Sequence, residues 1–182
     1  MKNEYEVRGD VTAIFIKCHG RIFETIIDTC DLPLVKSYPT RWYGYLHRDR
    51  VYVVGNINKG NEKSRQLHRL LVGDPKGLVI DHINHDTLDN RRSVNLRVVT
   101  NGENLQNLKI KKNNTSGHRG VDCVKTKTTC VRWRARVKIN GRVIQKNCLS
   151  KEEAIALTIE WRSKYMPYSQ EAMQLKSVVT TK

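Results

Sequence analysis

Acidic residues, aromatic residues and long apolar runs are all scarce in this sequence, and each shortage excludes a class of protein. The 182 residues include 18 Asp and Glu against 33 Lys and Arg, a formal net charge of +15. A charge of that size indicates a polyanionic partner, with nucleic acid first and an anionic membrane surface second, but it does not determine the fold. Aromatic residues make up only 7% of the chain, so the stacking platform that binds unpaired RNA bases is not expected.

Membrane spans, secretion signals and zinc-binding cysteine pairs are absent as well. No run of about 18 apolar residues occurs, so no helix is expected to span a bilayer. The first residues, MKNEYEVRGD, lack the apolar segment of a signal peptide. No C-x-x-C pair exists, which argues against a zinc ribbon or knuckle. We therefore expect an intracellular protein with no membrane contact and with reduced thiols at Cys18, Cys30, Cys123, Cys130 and Cys148.

The basic residues are concentrated in the second half of the chain. Residues 1–60 hold nine basic and seven acidic residues, which nearly cancel. Residues 109–146 hold twelve basic residues, and Asp122 is their single acid. The surface that binds a polyanion is therefore expected mainly in the second half.

The first third of the chain has the pattern of short strands. DVTAIFIK, GRIFETIID and RVYVVGNI are rich in β-branched or aromatic residues and are bounded by Gly, Asp and Asn. NINKGNEKS, residues 56–64, predicts a loop. QLHRLL, which follows, could be a strand or a helix. Residues 1–65 are thus expected to form a β-rich region, which could either pack against the rest or contact the polyanion.

Residues 77–108 predict the order strand, loop, strand, helix. GLVID and LRVV are short apolar strands, and the loop between them is full of Asn, Asp and Arg. Thr100 and Glu103 form a capping box, which predicts a helix to about Leu108. Folding this helix back over the strands would bring Asp81, at the end of the first strand, close to Asn104, in the first helical turn.

These polar residues suit phosphodiester hydrolysis. Two oxygen donors fit a hard cation such as Mg²⁺, which keeps several waters and takes phosphate oxygens as further ligands. His82 follows Asp81, and an imidazole with a pKa of about 6.5 can take a proton from water near neutral pH. A cation and a base together can activate water and stabilise the charge on the phosphate. A polar loop without a catalytic role is the alternative.

The stretch DHIN…LDNRRS…NLRVVT…EN resembles the HNH endonuclease family, in its phage- and intron-encoded homing-endonuclease branch. The resemblance covers about residues 66–108 and implies a ββα-metal fold. It implies that His82 is the general base, that Asn95 supports the loop through backbone hydrogen bonds, and that Asp81 and Asn104 bind one Mg²⁺ or Mn²⁺ ion. It also implies a double-stranded DNA substrate and a source in the cytoplasm of a phage-infected bacterium. His68 is expected to pack against the site.

The last third predicts a second, basic module. KIKKNNTSG is charged and polar, so residues 109–116 are expected to form a linker. VRWRARVKI and GRVIQKNCL predict a hairpin around Asn140-Gly141. Ser150 and Glu153 form a capping box, and the helix KEEAIALTIEWRSKY follows and stops at Pro167. Its expected buried face holds Ala154, Leu157, Trp161 and Tyr165.

This module resembles the AP2 DNA-binding domain, a three-stranded antiparallel sheet packed on one helix, whose sheet enters the major groove. The residues that carry the resemblance are RGV, at 119–121, RWRAR, at 132–136, and the start of the helix at Glu152–Ala154. Asn147-Cys148-Leu149 stands where plant members carry Gly-x-Phe. Strand alternation places the basic residues of VRWRARVKI on one face and Trp133 with the aliphatic residues on the other, against the helix. A charged, solvated edge strand is the alternative.

The sequence as a whole predicts an α+β protein that is a metal-dependent, site-selective DNA endonuclease, acting as a monomer on double-stranded DNA. The expected modules are a β-rich region (1–65), an HNH core (66–108), a linker (109–116), an AP2-like domain (117–167) and a flexible tail (168–182). A non-catalytic DNA-binding regulator and an RNA-binding ribonuclease are the rival functions. The residues expected to contact DNA are Arg91, Arg92, Arg97, Arg119, Arg132, Arg134, Arg136 and Lys138.

Affinity for duplex DNA should fall steeply with salt. If about six phosphates are neutralised, the plot of log affinity against log salt concentration should have a slope near −5, because each contact releases a condensed counterion. Fluorescence anisotropy with a labelled duplex at several salt concentrations measures this slope. A slope near zero would contradict binding through the basic residues.

Overall fold

Strands make up most of the secondary structure, and the fold is mixed α+β. The computed structural model describes residues 1–59, 62–125 and 131–179. The chain divides into two compact units, Met1–Asn101 and Gly102–Lys182. The five modules predicted from the sequence were defined by their expected functions. Their boundaries stay a proposal. Among the described residues, no helix is both long and apolar enough to cross a membrane.

A six-stranded sheet forms most of the first unit. Its strands run in the order β1-β2-β4-β5-β6, and β3 pairs with β2. All pairings are antiparallel except that of β2 with β4, which meet in parallel at Lys17 and Tyr43. The strands are β1 (Tyr5–Arg8), β2 (Val11–Cys18), β3 (Arg21–Asp28), β4 (Trp42–His47), β5 (Arg50–Lys59) and β6 (Glu62–Gln66).

Two short helices and a separate hairpin complete this unit. Helix α1 is Leu32–Ser37 and helix α2 is Leu67–Leu71, so the QLHRLL segment is helical after Gln66, which ends β6. Leu67, Leu70 and Leu71 are buried, since the spacing i, i+3, i+4 puts them on one helix face. They join the core of the six-stranded sheet, which includes Ile14, Ile16, Ile27 and Trp42. The hairpin consists of β7 (Val79–His82) and β8 (Leu96–Val99).

The predicted loop at residues 56–64 is wrong for most of its length. Strands β5 and β6 continue through it as an antiparallel pair, with Asn56 opposite Ser64 and Lys59 opposite Glu62. Residues 60 and 61 lie outside the described residues. Backbone hydrogen bonds can hold a polar hairpin at the edge of a sheet, so its side chains need not show apolar alternation.

The second unit is built around a three-stranded antiparallel sheet in the order β11-β10-β9. The strands are β9 (Val121–Lys125), β10 (Val131–Ile139) and β11 (Arg142–Cys148). Helix α4 (Lys151–Tyr165) packs on this sheet through a small core that includes Val121, Ala135, Cys148 and Ala154. Asn140 and Gly141 have φ angles of 47° and 82°, so the predicted two-residue turn between β10 and β11 is confirmed.

The helix predicted from Thr100 to about Leu108 is present, but only its first turn is α-helical. Helix α3 spans Asn101–Asn104, and a 3₁₀ turn, Leu105–Asn107, continues it. Arg119 fixes this turn, because its guanidinium donates to the carbonyl oxygens of Leu105 and Gln106, each at 2.6 Å, and of Leu108 at 3.1 Å.

Helix α4 begins as the capping box predicts, and it buries two polar residues beside most of its predicted apolar face. The Ser150 hydroxyl accepts a hydrogen bond from the Glu153 amide at 3.0 Å. The buried residues are Ala154, Thr158 and Arg162, whereas Tyr165 is exposed. The predicted face is therefore confirmed for Ala154, Leu157 and Trp161, which belong to or pack against the core of this unit, and it is wrong only for Tyr165. Apolar spacing could not show that this helix buries an arginine.

Arg162 is buried because it joins three segments of the second unit. Its guanidinium donates to the Arg119 carbonyl oxygen at 2.6 Å and pairs with Glu171 at 2.7 Å. Glu171 lies on helix α5 (Gln170–Val179), and Ser169 caps that helix by accepting from the Ala172 amide at 3.2 Å. The prediction of a flexible tail is therefore wrong for this stretch, which polar contacts anchor.

The thiols of Cys18, Cys30, Cys123 and Cys148 are free. Cys18 and Cys148 are buried, Cys30 is exposed and Cys123 is half-buried. Cys130, the fifth predicted thiol, lies outside the described residues.

Gly120→Ala should destabilise the second unit strongly. Gly120 has a φ of +79°, and an added Cβ would overlap the Arg136 carbonyl oxygen and approach the Arg162 guanidinium. Backbone strain and the clash together should lower the free energy of unfolding by about 3 kcal/mol, as measured by urea denaturation.

Gly141→Ala is the matched control for Gly120→Ala. Gly141 has a φ of +82°, but no atom lies within 4 Å of the added Cβ. Backbone strain alone should therefore lower the free energy of unfolding by about 1 kcal/mol. Equal losses for the two variants would contradict the role of the close approach at Gly120.

Candidate active site

The β7–β8 hairpin positions Asp81 and His82 in the first unit. Asp81 lies opposite Arg97, and His82 lies opposite Leu96. Successive strand residues point to opposite faces, so the carboxylate and the imidazole point away from each other. Both residues are buried, each 7% exposed. Asp81 and His82 therefore lie at the end of the first strand, as predicted. Their side chains have different surroundings.

Asn95 holds the loop between the two strands together. Its side-chain oxygen accepts from the Asn84 amide at 2.8 Å, and its side-chain nitrogen donates to the Asp89 carbonyl oxygen at 2.6 Å. Its own carbonyl oxygen accepts from the Ile83 amide at 2.8 Å. Asn95 is almost fully buried, so these bonds replace water for groups that would otherwise be unsatisfied.

The same loop docks on the six-stranded sheet through strand β3. The Ile26 amide donates to Leu88 at 3.0 Å, and the Ile26 carbonyl oxygen accepts from the Asn90 amide at 2.8 Å. The Ser93 hydroxyl donates to the Asp28 carboxylate at 2.6 Å. Strand β3, which lies within the predicted β-rich region, therefore supports the polar loop.

His82 lies between this loop and two other rings. Its Nε2 is 3.3 Å from the Asn90 side-chain oxygen. Its ring centroid is 5.2 Å from that of His68, nearly perpendicular to it, and 6.4 Å from that of Tyr52. Burial lowers the pKa of His82 below its ordinary value, while the hydrogen bond with Asn90 and the charge of Asp81 act in the opposite direction. His82 is therefore neutral at pH 7 and can accept a proton.

His68 is a neutral packing partner of His82. Its pKa is lowered to about 3, mainly by burial and secondly by the neighbouring His82. His68 and Tyr52 make a tilted ring contact, with centroids 6.1 Å apart. These rings enclose one side of the His82 imidazole and keep it away from bulk water. The sequence offered no signal for Tyr52.

Asp81 is paired with Arg97 across the hairpin. The Nε and a terminal nitrogen of Arg97 donate to one Asp81 oxygen, at 2.9 and 2.6 Å. Both side chains are mostly buried, 8% exposed for Asp81 and 16% for Arg97. Arg97 therefore fixes the direction of the carboxylate.

The metal ligands predicted from the sequence are Asp81, in the first unit, and Asn104, in the second, and their binding of one cation stays a prediction. Within the described parts of the chain, no group of three or more His, Cys, Asp or Glu residues is placed to hold a metal ion. The side chains predicted as ligands, Asp81 and Asn104, offer one carboxylate and one amide oxygen, and Asn104 ends helix α3. Such donors suit a hard cation that completes its shell with water and phosphate oxygens.

The arginines expected to contact DNA fall into two sets. Arg91 pairs with Asp89, Arg92 with Asp31, Arg97 with Asp81 and Arg134 with Asp122, and Arg119 donates to backbone carbonyls. Arg132, Arg136 and Lys138 have exposed side chains on strand β10. Ala135 and Val137, on the opposite face of this strand, are buried. The predicted alternation of β10 is confirmed for residues 132–138, and the DNA contacts themselves stay predictions.

The segment that contains this arrangement also matches a known family. Residues 67–106 match the model of the HNH endonuclease family. The match extends from helix α2 through the β7–β8 hairpin to the 3₁₀ turn, and it supports an HNH-family assignment of this segment. It suggests a nuclease-type function directed at DNA. No curated protein and no solved structure matches the chain. The AP2 resemblance of the second unit stays a prediction.

The first unit should lose stability as pH falls from about 6.5 towards 3. The folded-state pKa of His68 is about 3, whereas an unfolded histidine titrates near about 6.5. Between these values the unfolded chain binds a proton that the folded chain does not, so acid favours unfolding. His68→Gln should therefore show a weaker pH dependence of unfolding free energy, measured by urea denaturation. Parallel curves for variant and wild type would contradict this.

Proposed function

We propose that the chain is a metal-dependent DNA endonuclease of the HNH type, which hydrolyses phosphodiester bonds of double-stranded DNA at selected sites. The observation that carries this proposal is a buried, neutral histidine next to an aspartate, inside the segment that matches the HNH endonuclease family. The resemblance to phage- and intron-encoded enzymes suggests a bacterial cytoplasm during phage infection as its place of action.

His82 acts as the general base in this proposal. A base must be unprotonated when water attacks, and burial keeps the pKa of His82 low enough for that at neutral pH. The rings of His68 and Tyr52 limit the water around it. Asn95 acts indirectly, by holding the loop between β7 and β8 in one conformation.

Asp81 and Asn104 are the protein ligands of one Mg²⁺ or Mn²⁺ ion in this proposal. The assignment of Asn104 rests on the family resemblance, and that of Asp81 also on its buried carboxylate, held by Arg97. When bound, the cation would stabilise the negative charge that develops on the phosphate and the leaving oxygen.

The exposed basic face of β10, formed by Arg132, Arg136 and Lys138, is proposed to bind DNA in the manner of an AP2 sheet. Arg91 and Arg92 keep 30% and 51% of their side chains exposed, so each can add a phosphate contact without leaving its acidic partner. Arg119 is left out of this set, because backbone carbonyls occupy its guanidinium. A separate sheet that reads the duplex would give a nuclease with few base contacts its site selectivity.

His82→Ala should retain DNA binding and lose cleavage. The expected decrease in cleavage rate is roughly 10²–10⁴-fold, the usual contribution of a general base. Conversion of supercoiled plasmid to open-circular or linear DNA, with Mg²⁺ or Mn²⁺, measures the rate, and EDTA should abolish it.

His85→Asn is the matched control for His82→Ala. His85 is a histidine of the same loop with a φ of 65°, which asparagine tolerates. This variant should cleave like the wild type. Equal cleavage by His82→Ala and wild type would refute the role of His82. Binding without cleavage by the wild type under either metal would favour the DNA-binding regulator.

A further inference from the structure

Asn90 is an almost completely enclosed polar residue in contact with His82. It is 1% exposed, and its side-chain nitrogen donates to the Thr25 hydroxyl oxygen at 2.9 Å. The same nitrogen lies 3.3 Å from the Thr87 carbonyl oxygen and 3.4 Å from that of Leu88. The side-chain oxygen of Asn90 faces Nε2 of His82. Every polar atom of this side chain therefore has a partner.

Thr25 determines which way the Asn90 amide points. A hydroxyl group has one hydrogen to donate, and that of Thr25 goes to the Leu88 carbonyl oxygen at 2.7 Å. Towards Asn90 the hydroxyl can therefore only accept, so the atom that faces it must be the amide nitrogen. Two carbonyl oxygens on the same side of Asn90 require a donor as well. The amide oxygen must then face His82.

The orientation of Asn90 in turn determines the tautomer of His82. An amide oxygen only accepts hydrogen bonds, so Nε2 of a neutral His82 must carry the proton. We propose that Asn90, oriented by Thr25, is a positioning residue that holds His82 as its Nε2–H tautomer, so that Nδ1 is the nitrogen that takes the proton from water. This inference deepens the proposed nuclease function and rests on it.

The proton transfer is balanced at the His82 ring. An O–H bond of the attacking water breaks, its proton binds Nδ1, and the oxygen forms a bond to phosphorus. The bond from phosphorus to the 3′ oxygen breaks, and that oxygen leaves as an alkoxide, which takes a proton from solvent water. The ring then carries hydrogens on both nitrogens and one positive charge. The bond from Nε2 to Asn90 becomes charge-assisted and strengthens as that charge develops. Asn90 thus favours the protonated product of the step without touching DNA.

The tautomer can be measured independently of cleavage. We would record the ¹⁵N NMR spectrum of histidine-labelled protein at pH 8, well above the ordinary histidine pKa, and assign His82 among the six histidines by the signals lost in His82→Gln. The expected result is a protonated Nε2 and an unprotonated Nδ1. A wild-type spectrum with the proton on Nδ1, or with a mixture of tautomers, would overturn the proposal whether or not the protein cuts DNA.

Two variants test whether Asn90 and Thr25 set this state. Asn90→Ala should give a tautomer mixture and lower kcat roughly 10- to 100-fold, the usual effect of losing a partner that orients an active-site residue, with little change in KM. Thr25→Val should shift the tautomer in the same direction and lower kcat roughly 2- to 10-fold, because one orienting hydrogen bond is lost. Thr25→Ser should restore both properties.

Thr87→Val is the matched control for loosening of the loop. The Thr87 hydroxyl donates to the Val51 carbonyl oxygen at 2.7 Å and so ties the same loop to the same sheet, without contacting Asn90 through its side chain. It should leave the His82 tautomer unchanged. If Thr87→Val and Thr25→Val shift the tautomer equally, Thr25 serves only to dock the loop and the proposal fails. A normal wild-type tautomer without cleavage would instead count against the nuclease function.

Discussion

The attachment of the loop at residues 83–95 to strand β3 is the constraint on which the candidate site depends. This loop is rich in polar side chains, and several of them, including Asp89, Asn90 and Asn95, are buried. Buried polar groups destabilise a fold unless they have hydrogen-bond partners. Strand β3 provides partners through both backbone groups of Ile26, and Asn95 provides others from within the loop. A loop of this composition can therefore be rigid enough to fix the position of His82.

The chemistry of His82 follows from the same attachment. The docked loop places Asn90 against Nε2, while His68 and Tyr52 cover another side of the ring. Burial favours the neutral imidazole, and the amide oxygen selects one of its two tautomers. Asp81, on the opposite face of the same strand, is turned towards Arg97 and so has a separate environment. One short strand thus carries an imidazole and a carboxylate whose surroundings are set independently.

Local patterns in the sequence predicted the elements that local forces determine. Strands β2 and β3 are dense in β-branched residues, Asn140-Gly141 specifies a tight turn, and Ser150 with Glu153 marks the start of α4. The hairpin of β7 and β8 was also recognisable, with Asp81, His82 and Asn95 in register within a segment that a family model matches.

Contacts between distant residues could not be predicted in this way. Thr25 and Asn90 are 65 positions apart, and no periodicity connects a strand threonine with a loop asparagine. The buried Arg162 and the helix α5 that it anchors were missed for the same reason, since polar anchoring leaves no apolar pattern. The polar hairpin of β5 and β6 looked like a loop because its stability comes from backbone pairing.

The hydrogen bonds of Arg119 have a consequence for how such proteins could be recombined in evolution. Arg119 lies beyond the exposed, polar stretch at residues 109–115, yet its guanidinium fastens the 3₁₀ turn at Leu105–Asn107 within the second unit. A genetic exchange at that polar stretch would separate the turn from the group that holds it. An exchange between Asn101 and Gly102, where the two units divide, would keep these contacts together. The part of the chain that could be exchanged as one piece therefore begins near Gly102. That position lies inside the segment that matches the HNH endonuclease family, before the polar stretch at residues 109–115.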